Sequence, residues 1–115
     1  MNALILCAGM GSRFNIANDI GPKCLIEFNQ NKLIDIQIDS LEKNNIHNIA
    51  VVSGYKSQLV KRKKISKYYL NKNWANTNMI YSLFCASDWL DSNDCLISYG
   101  DIFYDQHTIK NLINS

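Results

Sequence analysis

The sequence predicts a three-layer α/β domain built on a mostly parallel sheet. Three observations carry this expectation: an apolar strand at Ala3–Cys7 running into a glycine-bearing turn, a helix-spaced segment from Leu33 to Asn44, and a second, nearly continuous apolar strand at Asn48–Ser53. Strand, helix, strand in that order implies a right-handed crossover and parallel neighbours. Strands that are apolar at successive positions, rather than alternating, suit a sheet covered on both faces.

In chain order, the turn Gly9-Met10-Gly11-Ser12-Arg13 opens a polar loop that leads to the only proline, Pro22, and then Lys23. Cys24–Phe28 is expected as a short strand or extended segment, closed by the polar turn Asn29-Gln30-Asn31. Apolar Ile34, Ile38 and Leu41 recur at helical spacing, so the Leu33–Asn44 helix covers the sheet with one face and stops at Asn44-Asn45. After the second strand, which ends at Gly54-Tyr55, Lys56–Val60 suits one helical turn and Ile65–Leu70 carries strand-forming residues. A polar loop over 71–78 contains Trp74. It precedes a predicted helix from Met79 to Leu90 with Ile80, Leu83, Phe84 and Leu90 on one stripe, and Asn76, Thr77 or Asn78 as its N-cap. Following the turn Asp91-Ser92-Asn93, a strand at Cys95–Tyr99 ends in Gly100-Asp101, and Gln106–Ile113 suits a last short helix.

A chain of 115 residues is enough for one domain, residues 1–115, with a modest core. Its 47% apolar and 19% charged content is that of a globular chain. A net charge of +2 is too small to argue for nucleic-acid binding, which is not expected, and the only cation cluster is Lys61-Arg62-Lys63-Lys64, which suits a solvated loop or strand end. Cys7, Cys24, Cys85 and Cys95 sit singly among apolar neighbours without metal-ligand spacing, as expected of reduced cysteines in a cytoplasmic protein. Neither a signal peptide nor a membrane span is expected, because Asn2-Ala3-Leu4 has no basic lead and the apolar run ends at Ala8.

The stretch Leu4–Lys23 has the composition of a phosphate site. Glycines let backbone N–H groups approach an anion, Ser12 adds a hydroxyl donor, and Arg13 and Lys23 bring two cations. Two common patterns fail: the dinucleotide fingerprint needs a glycine where Phe14 stands, and the ATPase loop needs Gly-Lys-Ser/Thr, whereas Lys23 lies between Pro22 and Cys24. At the end of another apolar strand, Asp101 either coordinates a hard divalent cation such as Mg2+ or caps the Ile102-Phe103 turn. In open sheets of this kind ligands bind beyond the carboxyl ends of strands, where both the glycine turn and Asp101 would fall.

Gly-x-Gly-Ser-Arg, a spacer and Pro-Lys, together with the strand-ending Gly100-Asp101, resemble the nucleotidyltransferases that activate sugar phosphates and small phosphorylated alcohols. The segment Trp74–Leu83, with its Asn-x-x-x-Ser-Leu pattern, is similar to the phosphocholine cytidylyltransferase type. The resemblance implies a Rossmann-like, incomplete nucleotidyltransferase sheet, the nucleotide-binding N-terminal part of a longer domain. It implies nucleotide contacts from Ala8, Gly9, Gly11, Ser12, Arg13, Asn76, Asn78 and Ser82, catalytic charge neutralisation by Lys23 and Arg13, and Mg2+ on Asp101. The implied reaction is cytidylyl transfer from CTP to a small phosphorylated acceptor, such as phosphocholine, a phosphonate or a phosphoramidate, with pyrophosphate released. The alternatives are a sugar-1-phosphate nucleotidyltransferase using another nucleoside triphosphate, and a truncated, non-catalytic nucleotide-binding module. The family's second acidic ligand has no convincing counterpart, Asp105 being merely nearby, and the absent neighbouring strands predict an exposed sheet edge that self-associates or pairs with a C-terminal half.

Overall fold

The computed structural model describes residues 1–8, 22–92 and 94–114. Its main sheet has four strands: β1 (Asn2–Cys7), β4 (Ile49–Ser53), β5 (Lys67–Leu70) and β6 (Cys95–Tyr99). They lie in the order β5-β4-β1-β6, all parallel. β1 is central and buried at every position, and β4 is likewise fully buried. Their unbroken apolar runs are explained by cover on both faces.

Helix α1 (Leu33–Glu42) and helix α4 (Gln106–Ile113) cover one face. There Ile34, Ile38, Leu41 and Ile109 pack on Ala3, Ile5, Ile49 and Val51. On the other face, α2 (Met79–Cys85) and α3 (Ser87–Ser92) place Met79, Leu83, Ala86, Trp89 and Leu90 against Leu4, Leu6, Ala50 and Val52. The three-layer parallel architecture expected from the sequence is therefore the one observed.

Two local expectations are corrected. Cys24–Phe28 is not one extended segment. Lys23–Leu25 forms a 3-10 turn closed by the Leu25 N–H donating to Pro22 O at 3.0 Å, which buries Cys24 and Leu25. A two-residue strand β2 (Glu27–Phe28) then pairs antiparallel with β3 (Asn31–Lys32). The hairpin loop Asn29-Gln30 has φ of 51° and 71°, the left-handed conformation that such tight loops require.

The expected Met79–Leu90 helix is two helices, broken at Ala86 (φ −109°, ψ 25°), and the predicted stripe is wrong at two positions. Ile80 and Phe84 are 61% and 70% exposed, while Ser82 and Ala86 are buried. This helix is apolar almost all round, so 3.6-residue periodicity alone permits more than one buried face. Two hydrogen bonds fix the choice: Asn71 Nδ2 donates to the Ser82 hydroxyl at 3.2 Å, and Trp89 Nε1 donates to Ala3 O at 3.0 Å. Of the three N-cap candidates the cap is Asn78, whose Oδ1 accepts from the Tyr81 N–H.

The expected strand Ile65–Leu70 is ordered as a strand only over Lys67–Leu70, and Lys56–Val60 contains the 3-10 turn Ser57–Val60. Arg62 of the cation cluster pairs with Asp35 of α1 at 2.6 Å, and Lys61 lies over the Tyr68 ring. These are structural tethers of a loop.

Candidate active site

β1 and β6 end side by side, with Leu6 opposite Tyr99, and the Gly100 N–H donates to Leu6 O at 2.9 Å, extending the ladder by one residue. Gly100 is needed for close approach. A Cβ there would lie 2.6 Å from Cys7 Sγ and 3.0 Å from both Cys24 Cβ and Leu6 O. The absence of a side chain lets the chain turn tightly over the end of β1, and Asp101 is carried on that turn.

Lys23 comes to the same place from the 3-10 turn. Its Nζ lies 3.6 Å from Asp101 Oδ2, with the two side chains 30% and 34% exposed. At that exposure an ion pair contributes under about 1 kcal/mol, so its interest is chemical and not energetic. Leu6, Cys7, Lys23, Cys24, Met79, Gly100 and Asp101 line a small cavity of about 90 Å³. Cys7 and Cys24, distant in sequence and expected to stand singly, meet at its base. Their mutual hydrogen bond, followed by burial, pushes the Cys7 thiol up, and all four cysteines are free.

A second cleft of about 270 Å³ adjoins the first across Met79 and is lined by Ala8, Asn71, Trp74, Thr77, Asn78, Met79 and Ser82. That size suits a nucleobase better than a whole nucleotide, since small-ligand pockets run upward from roughly 300 Å³. Gly54, at the end of β4, lets the 71–74 loop approach. A Cβ there would sit 2.7 Å from Trp74 Cβ, and the Trp74 ring meets Tyr55 at 4.9 Å, tilted by 59°. Asn71 organises the cleft from within. Only 1% exposed, it donates to Thr77 Oγ1 and Ser82 Oγ and accepts from the Asn73 N–H at 2.9 Å.

Among the residues expected at the site, Lys23 and Asp101 are brought together, and Ala8, Asn78 and Ser82 share the adjoining cleft. Asn76 is exposed and does not line that cleft; its N–H donates to Asn73 O in the loop. Gly9, Gly11, Ser12 and Arg13 lie outside the described residues. Asp105 is the N-cap of α4, with Oδ1 accepting from the His107 and Thr108 N–H groups, which lower its pKa. Among the described residues no cluster of three or more metal-ligating side chains forms. Asn71 carried no signal in the sequence beyond its place in a polar loop, and its burial alone distinguishes it.

The chain that brings Lys23 to the strand-ending Asp101 is matched by a family model. The MobA-like NTP transferase domain matches residues 3–115. The chain belongs to this family. It is similar to the CTP:phosphoglutamine cytidylyltransferase of Campylobacter jejuni, 38% identical over 124 aligned residues that cover 100% of this chain and 49% of that protein. It is also similar to the choline-phosphate cytidylyltransferase of Streptococcus pneumoniae, 36% identical over 93 residues, 78% of this chain and 41% of the relative. Among solved structures, the CTP:phosphocholine cytidylyltransferase of Streptococcus pneumoniae superposes with a TM-score of 0.77 at 30% identity, covering 87% of this chain and 44% of that one. The chain spans about half the length of the curated relatives it matches. No helix among its described residues is long and apolar enough to cross a membrane.

Proposed function

We propose that this chain is the nucleotide-binding part of a cytidylyltransferase. It transfers the cytidylyl group of CTP to a small phosphorylated acceptor and releases pyrophosphate. The single observation that carries the proposal is the Lys23–Asp101 pair, 3.6 Å apart at the carboxyl ends of β1 and β6 and beside the Asn78–Ser82 cleft. The relatives named above, which act on CTP with phosphoglutamine or choline phosphate, support the choice of donor and acceptor class.

The donor set at Asp101 fits Mg2+. It offers one partly exposed carboxylate, and Mg2+ commonly takes one or two carboxylates and draws its other ligands from water and substrate phosphates. When bound, the ion would supply Lewis-acid neutralisation of the transferring phosphate. The chain's own residues have the remaining tasks. Asp101 would hold the ion, Lys23 exchanges its contact with Asp101 for a phosphate oxygen, and Arg13 with the amides of Gly9, Gly11 and Ser12 holds the departing pyrophosphate. Asn78, Ser82 and Ala8 line the nucleoside side. The acceptor phosphate is already ionised, so alignment and charge cancellation suffice.

Thermal-shift titration of the chain with the four nucleoside triphosphates and Mg2+ tests the donor. Stabilisation by CTP above the others is expected, whereas preference for UTP or dTTP would replace the cytidylyl assignment with a sugar-1-phosphate one. The four free cysteines support a reducing compartment, the cytoplasm.

A second reading, a nucleotide-binding part inactive without further polypeptide, is favoured by the β6 edge. Among the described residues β6 has a neighbouring strand on one side only. Ile97 and Tyr99, opposite Leu4 and Leu6, are 47% and 51% exposed on the α2 side. We assign this edge to a further strand from the C-terminal half of such an enzyme. Pyrophosphate release by the 115-residue chain with CTP and acceptor would overturn this second reading.

A further inference from the structure

The turn that carries Asp101 is held from an unexpected direction. Gln37, in the middle of α1 and fully buried, uses both its donors on that turn: Nε2 donates to Tyr99 O at 2.9 Å and to Ile102 O at 2.7 Å. These two carbonyls bracket Gly100-Asp101. The Gln37 Oε1 accepts from the Ser98 hydroxyl at 3.0 Å, and the Ser98 and Tyr104 hydroxyls are 2.9 Å apart. The seam continues along the helix: the Ser40 hydroxyl, which donates to Ile36 O at 2.9 Å, also lies 3.4 Å from Tyr104 O, and Asn44, just beyond the helix end, donates to Gln106 O at 2.9 Å. Positions 37, 40 and 44 thus bind successive parts of the segment that follows β6.

We infer that Gln37 is a positioning residue that fixes the aim of Asp101. A glutamine amide is flat and offers its two N–H donors at a set angle, so holding carbonyls 99 and 102 together sets the path of the two residues between them. The energetic logic favours such a latch. Both carbonyls and the Ser98 hydroxyl lie against a buried side chain, and loss of that amide would leave several polar groups without their partner at once. From the outer side, the Phe103 ring meets Phe28 at 4.5 Å, tying the far end of the turn to the hairpin that follows Lys23. Gln37 itself is not among the residues that line the cavity. Its effect on metal binding therefore passes through the backbone, and in this respect the inference rests on the reading of Asp101 as the metal-holding carboxylate.

The test uses the full 115-residue chain and three variants: Gln37→Met, which keeps length and loses all three hydrogen bonds; Ile38→Ala, which removes core packing from the next position of the same helix; and Asp101→Asn. In the ligand-free chain, 15N relaxation is expected to give ordered amides over 100–103, with S² near about 0.85, falling below about 0.6 in Gln37→Met and staying high in Ile38→Ala. With CTP present, Mn2+ affinity measured by EPR is expected to fall roughly 10-fold or more in Gln37→Met and to hold in Ile38→Ala, whose melting temperature is also lowered. Unchanged order over 100–103 in Gln37→Met would overturn the inference, as would an equal loss of order in Ile38→Ala. Retention of Mn2+ affinity by Asp101→Asn would instead overturn the metal assignment, and the order measurement would still decide the role of Gln37.

Discussion

Gly100→Ala is the sharpest single perturbation of this site. The added Cβ would meet Cys7 Sγ at 2.6 Å, while Cys24 Cβ and Leu6 O would both be at 3.0 Å. Ordinary van der Waals contact begins at 3.4 Å, so the sulfur and the turn must part by most of an ångström. Cys7 and Cys24 are buried, and the third obstacle is backbone of the central strand, so none of them is a flexible side-chain end that swings away. Overpacking of this kind costs about 1–3 kcal/mol, and a shift near 1 Å in an aligned group can cost on the order of 100-fold in turnover. Urea unfolding gives the stability change, and a double-mutant cycle with Cys7→Ala gives its cause. Removing the sulfur should recover part of the loss, with a coupling of about 1 kcal/mol. Recovery stays partial because Cys24 and Leu6 still crowd the new methyl. An unchanged unfolding midpoint in Gly100→Ala, or single effects that add without coupling, would refute the close-packing account of the turn.

Asn71→Ala should destabilise the chain by about 1–3 kcal/mol, since a fully buried amide leaves the Thr77 and Ser82 hydroxyls without its donors, and urea unfolding would report it. Trp89→Phe removes the indole donor to Ala3 O and should cost about 1 kcal/mol with an unchanged denaturant slope. Burial, partly offset by the Ser98 hydrogen bond, raises the Tyr104 hydroxyl from 10.0 to about 12. Because the folded value is raised, this contribution is intact below pH 10 and is lost as pH climbs toward 12, by up to about 3 kcal/mol. Unfolding midpoints across that range should fall more steeply in the parent chain than in Tyr104→Phe. Lys23→Ala should lower turnover by about 100-fold or more in any active form that contains the chain, by analogy with loss of one transition-state donor, and near-normal turnover would remove Lys23 from the proposed chemistry.

Much of the frame was legible because one physical rule dominated each element. β1 and β4 announce themselves by apolar residues at successive positions, and α1 by Ile34, Ile38 and Leu41 at helical spacing, since only a covered sheet rewards both patterns together. The helices after the 71–78 loop were harder. Their sequence is apolar on several faces, and the buried face is set by polar contacts from Asn71 and Trp89 that periodicity does not report. Within the site, Lys23 and Asp101 were recognisable from their neighbours, Pro22 and Gly100, but their meeting is a tertiary fact. Gln37 was hidden for a related reason. A polar residue between core positions of a helix is expected to face water, and here it faces carbonyls that the chain supplies far downstream. The Cys7–Cys24 contact was concealed in the same way, because the 3-10 turn that buries Cys24 replaces the extended segment expected there.

The two faces of β6 divide the labour of the site. Leu96 and Ser98 point into the layer of α1 and α4 and are buried, whereas Ile97 and Tyr99 remain open on the α2 side. All the hydrogen bonds that Gln37 makes to the Asp101 turn come from the closed face. The Asp101 turn is therefore held from the closed face by bonds that do not use the Ile97 and Tyr99 side chains. Metal and nucleotide binding should then persist when Ile97 is replaced by a charged residue, while any association through the β6 edge should fail, since a charge on that face opposes a second apolar layer. Parallel loss of both properties in Ile97→Lys would mean that the open face also shapes the Asp101 turn, and the separation of a self-sufficient nucleotide site from a completing partner would have to be given up.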